Sequence, residues 1–272
     1  MHKRVSVSSI GFGATPLATQ AGYWKEIGNY RVGLMEHQLR GAENLAAGKA
    51  ALATGDYKVA TLVHPFILGG HIQTDPSTWE KPRAALSATI KLAKDIGAET
   101  IYMTTGGHGT LTWEEAAEAF SAAIAPCVPE AKAAGIPLLI ETTVQLNTDL
   151  HLVHTLRDAT LLAEMAGIGV NIDIFASWQE AGLKETIKRC MPICHLVQVS
   201  DYTYGDRTTP GRTVPGDGVI NLKRYLGWLL DAGYKGAFDL ELIGPRIEKE
   251  GAYQATRRAA EWTSKVLEEL GA

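Results

Sequence analysis

Short apolar runs alternate with amphipathic segments along nearly the whole chain. Runs of strand length fall at 4–10, 31–36, 59–64, 100–104, 137–141, 169–174, 195–200 and 237–242. Helical periodicity occupies 42–54, 81–96, 113–134 and 150–165, and Gly97, Gly135, Gly167 and Gly233 stand where those and a later helix would stop. Eight strands in strict alternation with helices predict parallel α/β architecture. No Gly-x-Gly-x-x-Gly follows the first strand, and Gly11-Phe-Gly13 reads as a turn, so a closed (β/α)8 TIM barrel is expected over a dinucleotide-binding sheet. The 272 residues suit one such domain spanning 1–272, since the fold takes roughly 250 residues. The least regular stretch, 202–221, follows the seventh strand, where a barrel carries an active-site loop.

Composition narrows the function classes. The formal net charge is −4 and no Lys/Arg cluster stands out along the sequence, which argues against a nucleic-acid binder. No signal-like h-region or long apolar span occurs, so the chain reads as cytosolic and not membrane-bound. Cys127, Cys190 and Cys194 give no disulfide framework and no paired zinc motif, and read as small buried hydrophobes.

The chemistry lies where acids end strands. The run Ile136-Pro-Leu-Leu-Ile-Glu141 is apolar until its last residue, while Asp173 and Glu241 interrupt the sixth and eighth runs. Period-two alternation puts Val170, Ile172 and Ile174 on one face and Asn171 and Asp173 on the other; Asp239 and Glu241 oppose Phe238, Leu240 and Leu242. With the apolar faces toward helices, the acids point into the barrel. Three confined carboxylates repel and lose hydration unless a cation compensates them. No Lys or Arg occupies an assignable inward position, so a divalent metal is expected on Glu141, Asp173 and Glu241. Gln198, on the inward face of the seventh strand, completes an oxygen-only set suited to Mn²⁺ or Mg²⁺. Asn171 and Asp239 either orient those ligands or fill a polar interior.

Other candidates sit at strand ends. His64 and His108 are read as general bases or as partners of a sugar hydroxyl, against the alternative of ordinary surface histidines. Arg207 and Arg212 follow the seventh strand; either clamps an oxyanion, or both are solvated loop residues. Trp24, Trp113 and Trp178 follow strands one, four and six and offer faces to a sugar ring, with core or rim packing as the alternative.

On these residues the chain resembles the xylose-isomerase-like barrel superfamily, in particular its sugar phosphate isomerase/epimerase branch. The resemblance rests on Leu-Leu-Ile-Glu141, Asn-Ile-Asp173, Gln-Val-Ser-Asp201, Gly-Asp-Gly-Val-Ile220 and Leu-Glu241, and covers nearly the whole chain. It implies metal binding by Glu141, Asp173 and Glu241, with the two glutamates doubling as acid and base. The departure is Gln198, where the family pattern has a His.

The expected reaction is proton abstraction beside the carbonyl of a keto-sugar through a metal-stabilised enediolate, giving isomerisation or epimerisation. The alternative is β-elimination from a 3-keto-glycoside, as in the carbon-glycoside deglycosidases that resemble this branch and work with a small second subunit. A non-catalytic sugar-binding barrel and an AP-endonuclease-like hydrolase rank below; Ala176 stands where the latter would need a His after Asp173. The resemblance further implies a homo-oligomer.

Overall fold

The computed structural model describes residues 1–272. Its eight strands are β1 (Val5–Ser8), β2 (Arg31–Met35), β3 (Lys58–His71), β4 (Ile101–Gly107), β5 (Leu138–Glu141), β6 (Gly169–Asp173), β7 (Cys194–Val199) and β8 (Ala237–Leu240). They are ordered β1 to β8 in sequence and close into a barrel, the (β/α)8 architecture that the alternation predicts. Chain contacts define two compact units, one of residues 1–61 with 196–272 and one of residues 62–195.

In the first unit β7, β8, β1 and β2 pair in parallel, with Asp239 opposite both Ser6 and Gln198. Paired residues of a parallel sheet project to the same side. The alternate residues Val5, Val7, Val197, Val199, Phe238 and Leu240 are buried hydrophobes. The helix Ala252–Glu269 packs against β1 and buries Ala255, Ala259 and Ala260, small residues that permit close approach.

In the second unit β4, β5 and β6 pair in parallel, with Glu141 opposite Asn171. Three features differ from the periodicity. The run 113–134 forms two helices, Trp113–Ile124 and Cys127–Ala134; Pro126 between them lacks the amide that a continuous helix needs. The run expected to begin at 150 becomes helical only at Leu156, where the Thr155 hydroxyl accepts from the Asp158 amide at 3.0 Å. Strand β3 runs on to His71, with irregularities between Pro65 and Ile67 and between Ile67 and His71. Gly97, Gly135 and Gly167 end their helices in the left-handed region, as read from the sequence. The three cysteines are buried and none is in a disulfide. No helix is long and apolar enough to cross a membrane.

Candidate metal and proton-transfer site

Glu141 is the last residue of β5, Asp173 the last of β6, and Glu241 follows β8 directly. All three are buried, at 6%, 1% and 5% exposure. One carboxylate oxygen from each lies within 4.8 Å of the others. The stagger between neighbours follows from register. Glu141 is level with Asn171, so Asp173 stands two residues further along its strand. Gln198 is level with Asp239, so Glu241 likewise stands two residues beyond it. Gln198 is fully buried on that face. The Asp173 carboxylate also accepts from the Phe175 amide at 3.0 Å, capping the short helix that follows.

The expectation that no arginine faces the carboxylates is corrected by Arg212. From the loop after β7, its guanidinium pairs with the Glu241 carboxylate at 2.5 Å and donates to the Ser200 hydroxyl at 2.9 Å. Both side chains are buried, 9% and 7% exposed. Arg207, the other arginine read from sequence as a clamp or a solvated loop residue, is exposed. The difference lies in the backbone. Thr213 forms a bridge with Asp201, and the Arg212 amide donates to the Ile243 carbonyl, which turns position 212 inward.

That loop is organised by one carboxylate. Asp201, 1% exposed, accepts from the amides of Tyr202, Gly216, Gly218 and Ile220 at 2.8, 3.0, 3.1 and 2.9 Å. A Cβ on Gly218 would fall on the Asp201 carboxylate, so only glycine fits there.

Below Glu241, Asp239 accepts from the Ser6 hydroxyl at 2.6 Å. Burial pushes its carboxyl up to about 6, while the Ser6 hydrogen bond and the charge of Arg212 pull the other way. Gly33 gives Asp239 its room: a Cβ there would sit 3.0 Å from both carboxylate oxygens.

The remaining candidates fall in three places. His64 lies inside β3, not at its end, and its Nδ1 shares a 2.9 Å hydrogen bond with Thr89 of the helix Glu80–Ile96. That contact faces the helix layer, which corrects the reading of His64 as a base at the barrel mouth. His108 is half-buried and donates from Nδ1 to the Leu111 carbonyl at 2.9 Å. Trp113 is half-buried and donates to the Leu152 carbonyl at 3.2 Å; Trp178 is also half-buried. Trp24 is fully buried, edge-on to Tyr57 at 5.2 Å, and so is a core side chain and not a wall for substrate.

Sequence reasoning passed over His151 and His154, because their segment reads as the start of a helix. The structure places both in the loop after β5. His151 is buried with no partner for Nδ1, and burial followed by the charge of His154 lowers it to about 3. His154 donates from Nδ1 to the Thr143 carbonyl at 3.3 Å, and burial, the largest cause, lowers its pKa as well.

The comparisons place this architecture among known proteins. An inosose isomerase of Halalkalibacterium halodurans is 35% identical over 75 residues, which are 28% of this chain and only 27% of that protein. The solved structure of the IOLI protein with a bound zinc atom matches at TM-score 0.83 and 16% identity, over 98% of this chain and 99% of that one. A 3-keto-D-glucoside 4-epimerase from E. coli matches at TM-score 0.77 and 16% identity, over 95% and 98% of the two chains. At such identities the structures testify to fold alone. The model of the xylose isomerase-like TIM barrel family matches residues 22–266. The chain belongs to that family.

Proposed function

We propose that the protein is a sugar isomerase or epimerase that depends on a divalent metal and acts on a keto-sugar. The observation carrying this reading is the buried trio Glu141, Asp173 and Glu241, one oxygen of each within 4.8 Å of the others. Arg212 brings one positive charge to three carboxylates, and a dication brings the other two. Such a balance suits a buried site, where uncompensated charge is expensive. Glu141, Asp173 and Glu241 would hold the ion with the Gln198 amide oxygen, a hard donor set favouring Mn²⁺ or Mg²⁺. Once bound, a divalent ion polarises the substrate carbonyl and the neighbouring hydroxyl.

The chain's own residues do the rest. Glu141, at the end of β5, and Glu241, just after β8, remove a proton from the carbon beside the carbonyl and return it. Return to the other face epimerises, and return to the adjacent carbon isomerises. Arg212 keeps the Glu241 carboxylate in place and adds positive charge where negative charge develops on the substrate. The inosose isomerase among the relatives and the keto-glucoside epimerase among the structures support a polyhydroxylated carbonyl substrate.

The test combines metal analysis with isotope exchange. Reconstituted wild type should retain one divalent ion per chain, and Glu141→Gln and Asp173→Asn should each weaken it. Inosose, ketohexoses and 3-keto-glucosides incubated in deuterium oxide should gain deuterium beside the carbonyl, and Glu141→Gln should lower that exchange by about a hundredfold or more. Failure to bind a divalent ion would sink the metal site. Release of an aglycone without rearranged sugar would replace isomerisation by elimination.

A further inference from the structure

The strand ends opposite the carboxylates carry the reverse charge. Lys235 precedes β8, Lys3 and Arg4 precede β1, Arg31 opens β2 and Lys58 opens β3. All five line one cavity of about 580 Å³. Asp56 is the acidic side chain on its wall, and even with an α-carboxylate at Ala272 the cations stay in surplus. The chain as a whole is at −4, so this field opposes the molecule's net charge.

Arg31 has a partner of its own. Lys3, Arg4, Lys58 and Lys235 remain as cations lining the hollow. Arg4 is fixed rather than free to swing away. Its Nε and a terminal nitrogen donate to the carbonyls of Gly236 and Tyr234 at 3.0 and 2.9 Å. The guanidinium rests 4.8 Å from the Phe238 ring centre. Burial, and the neighbouring charge of Arg31, lower its pKa, with Tyr234 acting in the opposite sense. Clustered like charges around a hollow raise the free energy of the empty cavity and favour an anion in it.

We infer that this cavity is an anion site for a small molecule bearing two or more phosphate groups. The size of the ligand follows from spacing. Neighbouring strands lie about 4.8 Å apart, so cations on four successive strands span more than one phosphate can reach. A cavity of this volume suits a small molecule, and the acidity of the rest of the chain disfavours a long polyanion. The exposed ring of Tyr30 on the wall, 58% accessible, offers a stacking face to a nucleoside if the phosphates carry one. This inference is independent of the carboxylate site.

The probe is inorganic triphosphate, titrated calorimetrically at physiological salt into wild type and into a Lys58→Gln/Lys235→Gln double variant. Both lysines are exposed, so the variant should fold. Any chelation of a bound metal is common to the two proteins and cancels. One-site binding to wild type, weakened at least tenfold in the variant, is the expected result. Orthophosphate should bind at least tenfold more weakly than triphosphate, and a preference for a nucleoside triphosphate over triphosphate would assign the Tyr30 face. No binding at physiological salt, or equal binding by variant and wild type, overturns the site.

Discussion

The loops after β5 and β7 both extend from strands that carry candidate ligands, yet they are built from opposite materials. The β7 loop is held by charge: Asp201 gathers four amides, and Arg212 is seated on Glu241. The β5 loop is held by neutral groups. There the Leu152 amide donates to the Thr105 hydroxyl at 2.8 Å, Asn147 donates to the Thr143 hydroxyl at 3.0 Å, and burial lowers the pKa of two imidazoles, the buried His151 and the half-buried His154. The contrast is a division of labour. A buried charge is either fully compensated or ruinous, so charge fixes geometry firmly. Neutral hydrogen-bonding groups tolerate rearrangement and suit contact with the hydroxyls of a substrate.

The largest effect that would break this contrast is expected at Asp201. Asp201→Ala strands the amides of Gly216, Gly218 and Ile220 and should cost about 4–5 kcal/mol in urea unfolding. A loss below about 1 kcal/mol would show that the β7 loop does not depend on its carboxylate. Next comes Arg212→Met in the metal-free protein. Leaving Glu241 buried without its guanidinium should cost about 3 kcal/mol, and adding Glu241→Gln should recover part of the loss. Simple additivity of the two substitutions would refute the pairing.

The smallest effect sharpens the neutral side. The folded pKa of His151 is about 3, against an ordinary 6.5. The unfolded chain takes up the proton first as pH falls. The stability contribution is therefore complete above about pH 6.5 and is lost progressively from there toward pH 3. At pH 5 the loss is about 2 kcal/mol, and His151→Gln should flatten that part of the stability profile. An unchanged profile would mean that the imidazole is not buried in its neutral form.

How much of this was legible in the sequence depends on periodicity. Asp173 and Glu241 lie where a period of two fixes which way a side chain points, and Glu141 is the one polar end of an apolar run, so the pattern and the family resemblance together found the trio. Gln198 and Asp239 were placed on one face by the same reasoning, and their register bears it out. Arg212 has no such guide, because a loop without a repeat does not announce which residue turns inward. Its orientation comes from the Thr213–Asp201 bridge, a contact made across twelve residues. His64 was misplaced because Pro65 reads as the end of a strand, whereas β3 continues through an irregularity. His151 and His154 disappeared into an apparent helix whose true start is marked by the Thr155 cap. The basic cavity escaped for a different reason. Its five cations come from four separate stretches of the chain and meet only when four strand starts are side by side.

The Asp201 clamp also determines where this protein can be altered. Its four amide partners divide the segment after β7 into stretches of unequal tolerance. Between Thr203 and Gly211 the chain has a smaller anchor of its own: Asp206 accepts from the Thr208 amide and hydroxyl at 3.0 and 2.7 Å and pairs with Arg246 at 2.7 Å. Between Gly216 and Ile220 the amides form one recognition unit for a single carboxylate, and an inserted residue removes a donor from its place. A change of substrate preference built into this loop is therefore best made by substitution at the exposed Tyr204, Arg207 or Thr209, with Asp206 kept and Arg212 still delivered to Glu241 behind it.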